Sequence, residues 1–397
     1  MRFQHAFIPY RGYWSTPFCR WQGSFSRLHP LALAAETARR ALAERAIPTD
    51  AFDGLVLGTT VPSKHGFYGS SWVAGLIGAT GIAGPAISQA CATSARVIAA
   101  CASEVELDPD RCLLGVTADR TSNGPHLVWA DPGAPGATPV TENWVWDNFG
   151  CDPYAGGSMI QTADRVAAEA GISTEEQHDI ALLRHLQYQA ALADGAAFHR
   201  RYMIAPIDVP LGGRKVATVT TDEGVRPATA DSLARLAPVA ARGSVTQGGQ
   251  THPADGNAGL VVTGPSRARA LGRDGVVVQL LAFGEARAEP GYMPRAVVPA
   301  ARRALADAGL DLGAVAAIQT HNPFAVNDAY FCRETGVQPE ALNAFGSSLV
   351  WGHPQAPTGM RSVIELIETL ALRGGGIGLF TGCTAGDGAA ALVLRVA

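Results

Sequence analysis

Seven short apolar, β-prone runs punctuate the chain: GLVLGTTV (54–61), CLLGVTAD (112–119), GLVVTG (259–264), GVVVQLLAFG (275–284), AVAAIQTH (314–321), GIGLFTGC (376–383) and AAALVLRV (389–396). Ala-rich helical segments lie between them. That alternation predicts an α/β protein built on buried, mixed sheets. The exception is a middle region, roughly 121–240, rich in Gly, Pro and Trp ahead of two helical stretches. One of these, ISTEEQHDIALLRHLQYQAALADG, opens with a Ser173/Thr174 cap followed by Glu175 and Glu176, and its apolar positions recur at helical spacing. The region reads as an insertion on the α/β body. Residues 1–120 and 245–397 each hold strand, helix and terminal strand pairs of similar order, without a residue-level repeat. The expected organisation is an N-terminal half over 1–120, an insertion over 121–244 and a similar C-terminal half over 245–397.

A cysteine stands where the run AISQA (86–90) gives way to the small-residue helix ATSARVIAAC (92–101). Val97, Cys101 and Val105 lie at i, i+4 and i+8 and give that helix one apolar face, so Cys91 falls at its N-terminus. Partial positive charge and free N–H groups there favour thiolate over thiol. The competing reading is a small buried hydrophobe, and on this segment alone both stand. Cys101, Cys112 and Cys332, in mid-helix or strand, read as core. Three distant segments shift the balance. Gly352-His353-Pro354 follows the loop NAFGSSLVW, Thr381 to Gly388 reads TGCTAGDG after the strand GIGLF, and His321-Asn322-Pro323-Phe324-Ala325 ends another strand. Loop residues at strand ends carry chemistry more often than packing.

In this order and spacing these segments resemble the thiolase family over essentially the whole chain. QACATSA is similar to the family's nucleophile motif, GHP to its histidine motif and TGCTAGDG to its second-cysteine motif. HNPFA stands where thiolases carry an Asn-Glu-Ala-Phe-Ala or His-Glu-Ala-Phe-Ala element. Flanking segments agree in order: TSNGPH (121–126), DEGVRP (222–227), GSVTQGG…ADGNA (243–258) and GYMPRAVVPAARRAL (291–305). The resemblance implies the thiolase fold, two similar βαβαβαββ halves stacked in a five-layer αβαβα arrangement with an inserted loop domain. It implies CoA and acyl-CoA as ligands, no metal, and a homodimer or homotetramer.

The resemblance also assigns roles. Cys91 would take the acyl group as a thioester, and His353 would accept its proton and help hold the substrate thioester oxygen. Cys383, with its pKa tuned down, would move the proton at the α-carbon. His321 would orient a water in a second oxyanion site by donating a hydrogen bond. The N–H groups of Cys91 and Ala385 would hold the acyl-enzyme oxyanion. Arg226 would face the CoA adenine or phosphates, Thr251 would bond the pantetheine, and Met159, Met293 and Phe324 would line the acyl pocket. Asn322-Pro323 in place of Glu-Ala, Ala385 in place of Gly, and Ala95 where Gly often follows Ser94 depart from the family pattern. Trp144 and Trp146 have no family counterpart; a pocket wall, a loop anchor or a structural role in the insertion each fits them.

Composition narrows the alternatives. The net charge of −4 offers no bulk attraction to nucleic acid or anionic lipid. No run approaches the length of a membrane span and the N-terminus lacks a signal-peptide core, so the expectation is a cytoplasmic protein that binds neither nucleic acid nor membrane. Seven scattered cysteines without a C-x-x-C pair fit a reducing compartment and argue against a disulfide framework or structural zinc. The functional expectation is CoA-dependent cleavage of 3-ketoacyl-CoA, or the reverse Claisen condensation, by an acyltransferase working through a Cys91 acyl-enzyme. The alternatives are a decarboxylating ketoacyl synthase-like enzyme, in which a Cys-His-His set replaces the second cysteine, and a non-catalytic acyl-CoA-binding partner.

Overall fold

The computed structural model describes residues 1–397. The N-terminal half runs through strand β1 (Phe7–Pro9), helix α1 (Pro30–Glu44), β2 (Gly54–Gly58), α2 (Gly69–Ile77), β3 (Ala86–Ile87), α3 (Thr93–Leu107) and β4 (Cys112–Arg120). The insertion follows, with α4 (Met159–Ala170) and α5 (Thr174–Ala196) as its main helices. The chain then forms β5 (Ala254–Thr263), β6 (Val277–Arg287), α6 (Val297–Ala308), β7 (Val315–His321), α7 (Ala325–Thr335), α8 (Ala356–Leu372), β8 (Gly376–Thr384) and β9 (Gly388–Val396). The strands pair in the order β7-β8-β9-β6-β1-β5-β4-β2-β3, with two short strands, Tyr13–Ser15 and Cys19–Arg20, added along β5.

The period-2 alternation of apolar residues in the strands produces the layers. In β4, Cys112, Leu114, Val116 and Ala118 pack outward against α1 and α2, while Leu113 faces the central helices α3 and α8. In β9, Ala391 and Val393 pack outward with α6 and α7, while Leu392 and Leu394 face the same central pair. Two helices outside each leaf of the sheet and two between the leaves make the five layers expected of the thiolase fold. Glycines let the inner helix come close. A Cβ at Gly58 would lie 2.8 Å from side-chain atoms of Thr93 and Val97 on α3, and one at Gly115 would lie 3.1 Å from Val97.

The half-boundary expected at 244/245 falls one strand early. Strand β5 pairs antiparallel with β4 along its whole length, from Asp255 opposite Arg120 to Thr263 opposite Cys112. It therefore completes the N-terminal leaf, and the insertion is an excursion between two adjacent strands. Hydrophobic content alone gave no clue to which leaf this strand joins. The helix read at ISTEEQ forms as expected: the Ser173 hydroxyl accepts from Glu176 N–H at 3.1 Å, capping α5.

Helix α8 is buried from Ala356 to Leu370, and its polar residues form one connected network. The Arg361 guanidinium pairs with both oxygens of Asp222, at 2.6 and 2.9 Å, and with Glu365 at 3.0 Å. Glu365 also accepts from the Tyr202 hydroxyl and the Gln319 amide. Asp222 belongs to the insertion, so this pair clamps it to the central helix. An uncompensated buried charge is costly, and Asp222→Ala is expected to lower stability by about 3–5 kcal/mol. Urea unfolding followed by far-UV circular dichroism checks this; a midpoint equal to that of the parent protein would refute it.

Candidate active site

Cys91 stands between β3 and α3, one residue after Ala90, which takes a left-handed φ of +42°. The sharp turn is tied down locally: the Thr93 hydroxyl donates to Ala90 O at 2.7 Å and accepts from Gln89 N–H at 2.8 Å. Gln89 ties this turn to the other half of the molecule. Its amide donates to Glu285 at 2.7 Å, and its carbonyl accepts from the hydroxyl of Thr384, the residue after Cys383, at 2.9 Å.

His353 sits in the turn leading into α8. Its N–H donates to His252 O at 2.9 Å, stitching the turn to the segment before β5. Gly352 has φ +94°, and a Cβ there would lie 2.7 Å from the His252 ring, so the glycine of GHP is a steric requirement. The Asp119 carboxylate, at the end of β4, accepts from Ala356 N–H at 2.9 Å as well as from Thr59, Thr60 and Val61. These contacts bring His353 Nε2 to 3.2 Å from Cys91 Sγ across 262 residues of chain. His353 Nδ1 lies 2.6 Å from the Thr358 hydroxyl.

His321, at the end of β7, lies beside His353 with ring centroids 4.3 Å apart. Its Nδ1 is 2.8 Å from the Ser348 hydroxyl. The same hydroxyl lies 3.3 Å from Asn322 Oδ1 and accepts from Asn322 N–H at 3.2 Å, while His321 Nε2 is buried without a partner in the protein. That nitrogen is the one left free to meet a water, at the residue expected to orient one. Asn322 also donates to buried Asp328, itself paired with Arg184 of α5 at 2.9 Å. The Asn in place of the family's Glu thus anchors the insertion.

Burial governs the protonation states. It pushes the Cys91 thiol up to about 11, a rise that the N–H groups of Ala385 and of Cys91 itself only partly offset. Burial, reinforced by neighbouring His321, holds His353 well below the usual imidazole range, and burial lowers His321 to about 3. Cys383, fully buried near the end of β8, is pushed well above the ordinary thiol range by burial and then by neighbouring Cys91, with the Asn327 amide pulling the other way. The resting site is therefore two thiols and two neutral imidazoles. This corrects the expectations of a Cys91 thiolate and of a Cys383 tuned down, because helix-end polarity is outweighed by desolvation.

The remaining expected residues divide. Met159, Met293 and Phe324 share one apolar cluster with Cys383, and the Ala385 N–H points at the Cys91 sulfur. The Thr251 hydroxyl is spent on Ser348 O, leaving only its lone pairs for a ligand. Arg226 is exposed and makes no contact with the four-residue centre. Trp144 is a loop anchor, its indole donating to Thr60 O at 2.8 Å, while Trp146 is exposed and packs edge-on against Trp21. Sequence reasoning missed Gln355, whose Oε1 accepts from Cys91 Sγ at 3.4 Å and whose own φ is +62°. It also missed Ser348 and Thr358, which orient the imidazoles. The position next to GHP was the available signal for Gln355; the two hydroxyls carry none.

The comparisons with known proteins agree with this fold. The family model for the thiolase N-terminal domain matches residues 13–266 and that for the C-terminal domain matches 275–396. The chain belongs to the thiolase family. It is 29% identical over 383 residues to beta-ketothiolase BktB of Cupriavidus necator, covering 94% of this chain and 95% of the relative. It is 26% identical over 386 residues to the acetyl-CoA acetyltransferase of Escherichia coli, covering 94% and 95%. Among solved structures, the acetyl-CoA acetyltransferase of Bacillus anthracis superposes with a TM-score of 0.91 at 23% identity over 100% of both chains. Human mitochondrial 3-ketoacyl-CoA thiolase in complex with CoA gives 0.89 at 22% identity, covering 99% and 98%. The N-terminal match ends just past β5, the strand that closes the first leaf.

A thiol held near 11 ionises late, so the alkylation rate of Cys91 by iodoacetamide should keep climbing from pH 7 to pH 10. Peptide mapping separates this rate from that of Cys151, which is exposed. A plateau reached below pH 7 would mean a preformed thiolate–imidazolium pair.

Proposed function

We propose that this protein is an acyltransferase that cleaves 3-ketoacyl-CoA with CoA, or runs the reverse Claisen condensation, through an acyl-enzyme on Cys91. The observation that carries this reading is the Cys91–His353 contact of 3.2 Å, with Cys383 and the Ala385 N–H beside the same sulfur. The family membership, and relatives named as acetyl-CoA acetyltransferase and thiolase, support the same class of reaction.

The resting protonation state suits the cleavage direction. His353 Nε2 takes the Cys91 proton as sulfur attacks the 3-keto carbon, and the N–H groups of Cys91 and Ala385 receive the oxyanion. As the bond between C2 and C3 breaks, the Cys383 thiol protonates C2 and acetyl-CoA leaves. An incoming CoA thiol returns a proton to Cys383, and its sulfur attacks the acyl carbonyl. Cys91 departs and recovers its proton from His353, so the cycle closes with every proton accounted for. The unpartnered His321 Nε2 would hold a water against the thioester oxygen of the departing acetyl-CoA. Met159, Met293 and Phe324 would supply apolar surface for the acyl chain, while Arg226 and Thr251 would meet CoA. A thiol proton donor at C2 favours this reading over decarboxylating condensation, which has no use for Cys383.

If Cys383 moves the α-proton, parent enzyme exchanges the α-protons of a bound acyl-CoA with D2O, and Cys383→Ala loses that exchange by a factor of about 10²–10⁴. NMR of the recovered acyl-CoA measures it. Exchange at the parent rate in Cys383→Ala would overturn the mechanism.

The same reading includes a homodimer or a dimer of dimers. Strand β3 is the open edge of the sheet, and Phe67 and Tyr68, next to the helix α2 that packs on its neighbour β2, are 96% and 68% exposed. An uncovered edge beside exposed aromatics suits a symmetric partner. Light scattering at micromolar concentration should give at least twice 41.3 kDa, and the monomer mass would refute the assembly.

A further inference from the structure

The centre brings together three soft or borderline donors whose grouping suits more than the proposed chemistry. The Cys91 sulfur and one ring nitrogen each of His321 and His353 all lie within 4.8 Å of one another, with His353 Nε2 at 3.2 Å from the sulfur. Each imidazole is steered from behind: Ser348 holds Nδ1 of His321 at 2.8 Å and Thr358 holds Nδ1 of His353 at 2.6 Å. Hydrogen bonds of this kind to the far ring nitrogen fix the tautomer of metal-bound histidines and raise their basicity. His353 Nε2 faces the sulfur at 3.2 Å. His321 Nε2 is the sharper observation, because it is buried and has no partner in the protein. A buried polar atom without a partner costs free energy unless something fills its place.

We propose that Cys91, His321 and His353 form a three-ligand site for a thiophilic divalent cation such as Zn2+, and that the occupied site is the inactive state of the enzyme. One sulfur and two imidazole nitrogens match the preference of zinc, with the fourth tetrahedral position left for water. Zinc bonds of about 2.0–2.3 Å place ligand atoms about 3.5 Å apart, so the triad must close by about 1 Å at its widest edge. That is within reach of small side-chain rotations. On binding, the Cys91 thiol gives its proton to solvent, the sulfur and the two Nε2 lone pairs bond the cation, and the contacts of Cys91 with His353 and Gln355 are replaced. No redox change is involved. The metal takes the electron pair that attacks the acyl carbon and the base that activates it, so metal and acyl group exclude each other. The three ligands lie on β7, on the turn into α8 and before α3, which is why no spacing rule in the sequence reveals them.

Co2+ is a direct probe, because a thiolate ligand adds a charge-transfer band to its visible spectrum. Metal-free protein titrated with Co2+ should bind one equivalent with that band, which Zn2+ then displaces. Cys91→Ala should lose the band. His321→Asn should weaken Zn2+ binding by more than about 100-fold, beyond the range for a supporting group, and Ser348→Ala by about 10–100-fold. Bound Zn2+ should also block alkylation of Cys91 while Cys151 still reacts. Absence of the charge-transfer band in the parent protein overturns the proposal, as does equal Zn2+ affinity in His321→Asn or, should that variant not fold, in Ser348→Ala. Thiolysis by the metal-free parent protein is assayed in parallel. Metal binding without thiolysis would sink the proposed function and leave this site standing, and thiolysis without metal binding would do the reverse.

Discussion

The contact between the Cys91 sulfur and the His353 imidazole is the constraint on which the rest of the structure depends. Its two partners are 262 residues apart and belong to different halves of the molecule, yet sit 3.2 Å from each other. Neither half can make it alone. It requires that α3 and α8 lie together as a central layer, that Gly58 and Gly115 let α3 settle against its leaf, and that Asp119 hold the first turn of α8. The Gln89 bridge to Thr384 then fixes the second cysteine relative to the first. The insertion is drawn into the same arrangement through Asp222–Arg361 and Arg184–Asp328, two fully buried ion pairs.

Desolvation decides the chemistry of this centre. A helix N-terminus alone would favour a Cys91 thiolate, but desolvation outweighs it and keeps the proton on sulfur. The same burial keeps both imidazoles neutral, so His353 is ready to accept a proton and Cys383 to give one. The energy needed to charge the pair is recovered only as the developing oxyanion meets the N–H groups of Cys91 and Ala385, which favours ionisation with substrate in place. Neutral imidazoles with steered tautomers also make good metal ligands, so one set of physical conditions serves both acyl transfer and cation capture.

Much of this was legible in the sequence. The apolar runs named the central strands, the Ser173 cap named the long helix of the insertion, and the motifs around Cys91, His321, His353 and Cys383 named four residues that the fold does bring together. What was not legible depends on contacts distant in sequence. Strand β5 is as apolar as its neighbours, and only its pairing with β4 reveals its leaf. Ser348 and Thr358 are ordinary hydroxyls until the imidazoles they orient are placed. The protonation states were misread because burial depth cannot be taken from a motif, and the serine that holds the His321 ring lies 27 positions away.

The account stands or falls on Cys91 as the acyl carrier. Incubating the protein with acetyl-CoA, removing free CoA and mapping peptides by mass spectrometry tests this directly. The account predicts one acetyl group per chain, on Cys91, released as acetyl-CoA when CoA is added back and formed more slowly in His353→Ala. An acetyl group on another residue, or none on Cys91 in folded protein, would contradict it.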